Sequence, residues 1–277
     1  LEMGFSFPKS RYEAMKELKG SEKAEIIVDP NNILAVEYLK QWIRLKSHMQ
    51  PMTIKRLGGG YHNKDSSVSM AGASAIRKKM ALSLDVESVR HALPDTSADV
   101  MNRNIHQTII DSEKLFPYLA YKVLTSDREY LSEIISSGEG LENRLKRAII
   151  GSKSTEDIVR FILSKRYTET RVKRLLIHTL VSLKRKDFFR IIESHALYAR
   201  VLGFSPKGAE LIRYIKRERC SHIPIVTNIN KELTKENPVW EILSYDILAT
   251  DIYNLAHFGG IYQRSDYVLK PFFEECF

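Results

Sequence analysis

From about residue 86 to the end of the chain one signal keeps returning: apolar side chains recur at three- and four-residue intervals, the spacing that lines one face of an α-helix. Seven segments carry it: EKLFPYLAYKVL, REYLSEIISS, GLENRLKRAII, STEDIVRFILSK, ETRVKRLLIHTLVSL, PKGAELIRYIKRER and VWEILSYDILATDIYNLAH. Each stripe can leave water only by packing on a neighbour, so this region is expected to be an all-helical domain. Short polar residues mark two of the starts, Ser154 or Thr155 ahead of Glu156 and Asp157, and Ser205 ahead of Pro206. The only strand candidate here is IPIVT, just after Cys220.

Residues 1 to about 85 read differently. Ser6, Phe7 and Pro8 open a short helix carrying Tyr12, Met15 and Leu18, which ends near Gly20. A second helix runs from Ile33 to Leu45, with Pro30 and an Asn at its cap and with Tyr38 and Trp42 expected in the core. PMTIKRL reads as a strand, the Gly- and Ser-rich run from Gly58 to Gly72 as a loop, and ASAIRKKMAL as the helix after it. Helix, strand, loop and helix are α/β pieces, and a domain boundary is expected near residue 85.

The chain holds no run of eighteen apolar residues, and its first residues lack the regions of a signal peptide. A soluble, cytoplasmic protein without a membrane partner is expected. Cys220 and Cys276 are too far apart for a CxxC motif and too few for a disulfide framework. Leu1 is not an initiator, so the chain is expected to begin in mid-protein.

Positive charge is concentrated. Residues 141 to 219 hold 20 Lys and Arg against 8 Asp and Glu, and the remainder is near neutral. Such a surface suits a polyanion, because neutralised phosphates release condensed counterions; a merely solvated basic face has the same composition. Within it lie Lys165, Arg166, Tyr167, Arg171, Lys173 and Arg174, followed by Lys184, Arg185, Lys186 and Arg190. On a helix over 168–183, Arg171 and Arg174 share a face with Arg166 or Lys165, while Val172, Leu175, Leu176 and Thr179 turn inward. The basic side chains can straddle an RNA backbone, and Tyr167 can stack on an unpaired base of a single-stranded loop such as an anticodon. On the residues alone, a packing tyrosine that caps the helix is the commoner role.

A second constellation lies in the first region. Lys55 and Arg56 precede three glycines at a strand end, Ser74 sits where a helix begins, and Arg77 follows one turn later. A helix start offers unpaired N–H groups and Arg77 a charged fork, which together suit phosphate, although Gly-rich loops that end in basic helices are most often plain connections. His178 and His195 fall on apolar-rich helices and read as hydrogen-bonded core or boundary residues, His62 as a loop histidine worth testing. No metal site is expected, and Asp246 and Asp251 are given no catalytic role.

NNILAVEYLK, TIKRLGGGYHN, AGASAIR, EGLENRLKRAI, SKRYTETRVKRLLIHTL, YARVLGFSPKGAELI and ILATDIYNLA resemble, in the same order, the motifs of the tRNA(Met) cytidine acetate ligases, a family of the HxGH nucleotidyltransferase-like group. The resemblance spans nearly the whole chain. It implies that the first 85 residues are the remainder of a Rossmann-like nucleotidyltransferase domain and the rest a tRNA-binding domain, so that the fold is mainly α. It further implies an enzyme that activates acetate with ATP, accompanied by Mg2+, and acetylates the wobble cytidine of elongator tRNA(Met) at N4. Asn31, Asn32, Arg56 and Leu57 would then contact ATP, and Ser74 and Arg77 would occupy the phosphate motif. The chain has Gly72 where the family commonly has serine and Ser74 where threonine is common, which removes one hydroxyl. The family's H-x-G-H motif is absent from the chain, so its catalytic residues are unassigned and the chain is expected not to form an adenylate by itself. Two other functions stay open on the residues: a non-catalytic tRNA-binding protein on the same scaffold, and an adenylyltransferase acting on a small metabolite.

Overall fold

The computed structural model describes residues 7–54, 71–104, 111–164, 166–194, 198–229, 239–261 and 265–273. The chain is mainly α, and it divides into two compact units, Leu1–Ile110 and Asp111–Phe277. The division falls later than residue 85 because Met80, Val86, Val89 and Ala98 form one buried cluster that spans that position.

In the first unit α1 (Phe7–Lys19) packs on α2 (Ser21–Glu25), and the Tyr12 hydroxyl donates to Glu25 at 3.0 Å. Helix α3 (Pro30–Arg44) is capped by Asp29 rather than by an asparagine: the Asp29 carboxylate accepts from the Asn31 amide at 2.7 Å, with Pro30 at the first helical position where no amide is needed. Tyr38 is not core but 69% exposed, together with Leu34 and Ile43, whereas Trp42 is half-buried and donates from Nε1 to the Met49 carbonyl. Residues 51–54 form no strand and Ile54 is exposed, so the described part of this unit is helical where α/β pieces were expected. Helix α4 (Ala73–Ser83) and α5 (Asp95–Arg103) complete the unit, both packed on a 3-10 turn at Glu87–Ala92.

The second unit is built around α6 (Phe116–Thr125), α7 (Arg128–Glu133), α8 (Leu141–Gly151), α9 (Thr155–Ile162) and α10 (Glu169–Leu180). Their apolar faces meet in one core that includes Leu119, Leu131, Leu145, Ile158 and Leu175. Two carboxyl-bearing or hydroxyl side chains close α9: the Ser154 hydroxyl accepts from the Asp157 amide, and Glu113 accepts from the amides of Thr155 (2.6 Å) and Glu156 (3.2 Å) across more than forty residues. Helix α11 (Arg185–Glu193), not evident as a periodic segment, follows.

Beyond it come β1 (Ala199–Arg200), β2 (Gly203–Phe204), α12 (Pro206–Glu218), β3 (Ile225–Val226), α13 (Val239–Phe258) and β4 (Phe272–Phe273). Ser205 caps α12 as its spacing implies, accepting from the Gly208 amide. The IPIVT segment contributes β3, which pairs in parallel with β1, and β2 pairs in parallel with β4. Arg200 grips Asp266 with two nitrogens at 2.6 and 2.9 Å, and the Asp266 side chain is only 6% exposed. No described helix is long and apolar enough to cross a membrane.

Candidate nucleic-acid and nucleotide sites

The basic constellation takes its shape from a turn at residues 138–140 that the sequence reading did not single out. Gly138, Glu139 and Gly140 all have positive φ, at 134°, 57° and 84°. Glycine adopts this region freely; Glu139 does not, and must be held there. The Tyr167 hydroxyl donates to the Glu139 carbonyl at 2.8 Å, and Gly140 then opens α8. The Glu139 side chain turns toward the start of α10. Arg166 reaches it with Nε to Oε2 and Nη2 to Oε1, both at 3.1 Å, a parallel fork, and Arg171 adds Nη2 to Oε2 at 3.3 Å. These contacts, with the Arg166 hydrogen bond foremost, hold the Glu139 carboxyl below the usual carboxylate range.

The role of Tyr167 is corrected by this geometry. The side chain is 4% exposed and belongs to the core beside Val172 and Leu175, so its ring is closed to a base. The guanidiniums of Arg171, Arg144 and Arg166 instead surround the ring, 5.1, 5.5 and 5.9 Å from its centre. Tyr167 is the packing residue that fixes the floor of the arginine cluster.

The remaining basic residues separate into two groups. Lys173 pairs with Glu169 one turn back at 2.5 Å, and together with His178 and the exposed Arg174 and Ile177 it lines a shallow surface concavity on α10. Arg174 forms no ion pair among the described residues. His178 is half-buried with Nδ1 2.7 Å from the Ser136 hydroxyl, and its pKa is lowered by burial first and by the Arg174 charge second. Lys184 binds Glu133, Arg185 donates to the Ser137 carbonyl, and Arg190 pairs with Asp187 and Glu241, so these three tie elements together. Lys165, His62 and His195 lie outside the described residues. Val172, Leu175, Leu176 and Thr179 are buried as the helical spacing implies, Thr179 returning its hydroxyl to the Leu175 carbonyl.

Glu139 and Arg144 were missed from the sequence. The available signal was the Gly-Glu-Gly triplet, since an acidic residue between two glycines marks a turn that backbone demands alone would leave to small residues.

In the first unit, Asn31 and Asn32 occupy the first turn of α3 and are exposed. Ser74 and Arg77 are exposed in the first turns of α4, where the cap residue Gly72 offers no side-chain acceptor to the free amides. That leaves N–H groups at the positive end of a helix beside an arginine, an arrangement able to bind phosphate. Arg56 and Leu57 lie outside the described residues. Neither hydrogen bond nor ion pair joins the α3 and α4 turns among the described residues.

Asp246, on α13, contacts the Tyr198 hydroxyl, and its pKa is raised by burial and then by Asp266.

The second unit thus carries a clustered basic face, and the first a helix start, at α4, that is able to bind phosphate. The chain belongs to the HIGH nucleotidyl transferase family, whose model matches residues 1–265. Among curated proteins it is 32% identical over 278 residues to the tRNA(Met) cytidine acetate ligase of Clostridium acetobutylicum, covering 98% of this chain and 66% of that protein. It is also 32% identical over 271 residues to the ligase of the same name from a Thermoanaerobacter species, covering 97% and 66%. The chain thus spans 66% of the length of these relatives. Its fold is that of Thermotoga maritima TmcAL: TM-score 0.84 with the apo form at 23% identity, covering 99% of this chain and 69% of that one. With the form bound to alpha-thio ATP the TM-score is 0.81 at 24% identity, covering 99% and 68%.

Proposed function

We propose that this chain carries the tRNA-gripping unit and part of the ATP site of an enzyme that acetylates the wobble cytidine of elongator tRNA(Met). In this reaction an acetate oxygen attacks the α-phosphate of ATP, releasing pyrophosphate and forming acetyl-adenylate. The N4 amine of the cytidine then attacks the acetyl carbonyl, AMP leaves, and N4-acetylcytidine results. The observation that carries the reading is the 32% identity over 98% of the chain to proteins named for this activity.

Asn31, Asn32, Arg56, Leu57, Ser74 and Arg77 are assigned to ATP. Ser74 and the amides around it face phosphate oxygens at the start of α4, and Arg77 supplies the neutralising fork. Magnesium would accompany the nucleotide and offset the charge of its phosphates. Lys165, Arg166, Arg171, Lys173 and Arg174 are assigned to the tRNA backbone around the anticodon, with Tyr167 as their support. Phosphate contacts of this kind position an RNA without reading its sequence.

Binding of the 277-residue chain to elongator tRNA(Met), to a different tRNA and to single-stranded RNA tests the reading, with an Arg171→Ala, Arg174→Ala double variant alongside. Preferential binding to the elongator, lost in the variant, is expected. Absence of tRNA binding even at low salt would sink it and favour a small-metabolite adenylyltransferase.

A further inference from the structure

We propose that Glu139 is a built-in phosphate surrogate: its carboxylate fills a two-arginine fork whose external ligand is a nucleic-acid backbone phosphate, which displaces it on binding. The inference rests on the assignment of Arg166 and Arg171 to RNA.

Three observations lead to it. The first is fit. Arg166 presents Nε and Nη2 in parallel to the two Glu139 oxygens, and Arg171 shares one of them. A phosphodiester also offers two anionic oxygens and one negative charge, so it meets the same fork. The second is excess charge. One carboxylate answers two guanidiniums, and a third, Arg144, stands over the same Tyr167 ring, so the cluster keeps a positive surplus with Glu139 in place. The third is placement. Glu139 sits at φ 57° between two positive-φ glycines, where a glutamate is unfavourable for the backbone, and its carboxylate is at the surface, 44% exposed. At that exposure water can replace the carboxylate's contacts when the side chain swings out.

The consequence is selectivity. An isolated phosphate must displace a carboxylate that is tethered beside the fork at high effective concentration, and it makes no contact beyond the fork. A chain of phosphates that also engages Lys173 and Arg174 adds contacts elsewhere and can drive the displacement. Glu139 thus closes the fork to small phosphates such as free nucleotides and leaves it open to RNA.

The test uses the full 277-residue chain with Glu139→Gln, which keeps the shape, and Glu139→Asn, a residue that tolerates left-handed backbone. Inorganic phosphate is titrated while the arginine Nε–Hε signals are followed by NMR, and RNA affinity is measured in parallel. Both variants are expected to bind phosphate and RNA roughly threefold to tenfold more tightly, the penalty of breaking exposed ion pairs having been removed. Adding Arg166→Ala and Arg171→Ala to Glu139→Gln should erase the gain. Unchanged or weaker phosphate binding in both folded variants overturns the surrogate and makes Glu139 a positioning residue for the arginines. If phosphate binding rises while neither the parent chain nor the variants bind RNA, the tRNA assignment falls and with it the nucleic-acid phosphate as the fork's ligand; if RNA binds normally but phosphate binding does not respond, the tRNA assignment stands and the surrogate alone falls.

Discussion

The Tyr167 hydroxyl donates a 2.8 Å hydrogen bond to the backbone carbonyl of Glu139, 28 residues earlier in the chain. Through that bond the buried ring fixes a left-handed turn, and the turn aims a carboxylate at two arginines. Tyr167→Phe removes the donor and leaves the carbonyl without its protein partner, at a cost of about 1 kcal/mol by urea denaturation. Tyr167→Ala also empties a core position and should cost ~3–5 kcal/mol. Equal effects from the two would show that the ring contributes nothing beyond its hydroxyl.

Two ion pairs of similar geometry should differ widely in worth. Asp266 is 6% exposed, so Arg200→Ala strands a buried carboxylate and is expected to cost about 3 kcal/mol. Arg190, 60% exposed beside Asp187 and Glu241, should cost less than ~1 kcal/mol when replaced by alanine. Denaturant midpoints of the two variants compared at low and high salt check this; the Arg190 effect should shrink with salt.

The start of α9 is held from two directions. Ser154→Ala removes one acceptor from the Asp157 amide and should destabilise the chain by about 1 kcal/mol. Glu113→Ala frees the amides of Thr155 and Glu156 and removes a negative charge from the helix N-terminus, so its effect should be at least as large. Hydrogen exchange of the Thr155, Glu156 and Asp157 amides reports each loss separately.

Acid should weaken the second unit through His178. Burial and Arg174 lower its pKa in the folded state, so the unfolded chain takes up a proton at a higher pH than the folded chain does. The stability that this group contributes is complete above the unfolded pKa of about 6.5 and is lost as pH falls below it toward the lower folded value. Denaturation at a series of pH values from 7.5 to 5 should show this decline, and His178→Gln should flatten it.

Arg174 should differ from Lys173 in how it holds RNA. Arg174→Ala removes a cation that has no ion-pair partner among the described residues, and it should reduce the slope of log affinity against log salt by about 1, as for one lost phosphate contact. Lys173, already paired with Glu169, should change that slope less. Affinities for one RNA between 50 and 300 mM salt measure both; an unchanged slope in Arg174→Ala removes that residue from the interface.

Much of the helical framework was legible in the chain itself. Helix periodicity and end caps are local, written within a few turns, and α8, α9, α10 and α12 fall where the apolar spacing and Ser154 or Ser205 put them. The concentration of Lys and Arg between 141 and 219 is likewise a property of composition. Where local signals were weak, the tertiary structure decided otherwise. Thr53 and Ile54 favour a strand but have no described strand partner, and β1 and β3 are two-residue strands whose pairing depends on a neighbour, not on a repeat.

The candidate RNA site shows the same division. The sequence by itself determined that the arginines near residue 170 would be numerous and that Val172, Leu175 and Leu176 would turn inward. Only the tertiary structure decided that Tyr167 faces the core, that Arg166 and Arg171 converge on Glu139 from 27 and 32 residues away, and that Arg174 stays outside that cluster. A helix face follows from residue spacing because the backbone repeats every 3.6 residues; a meeting of charges across a turn follows from packing, and no local pattern encodes it.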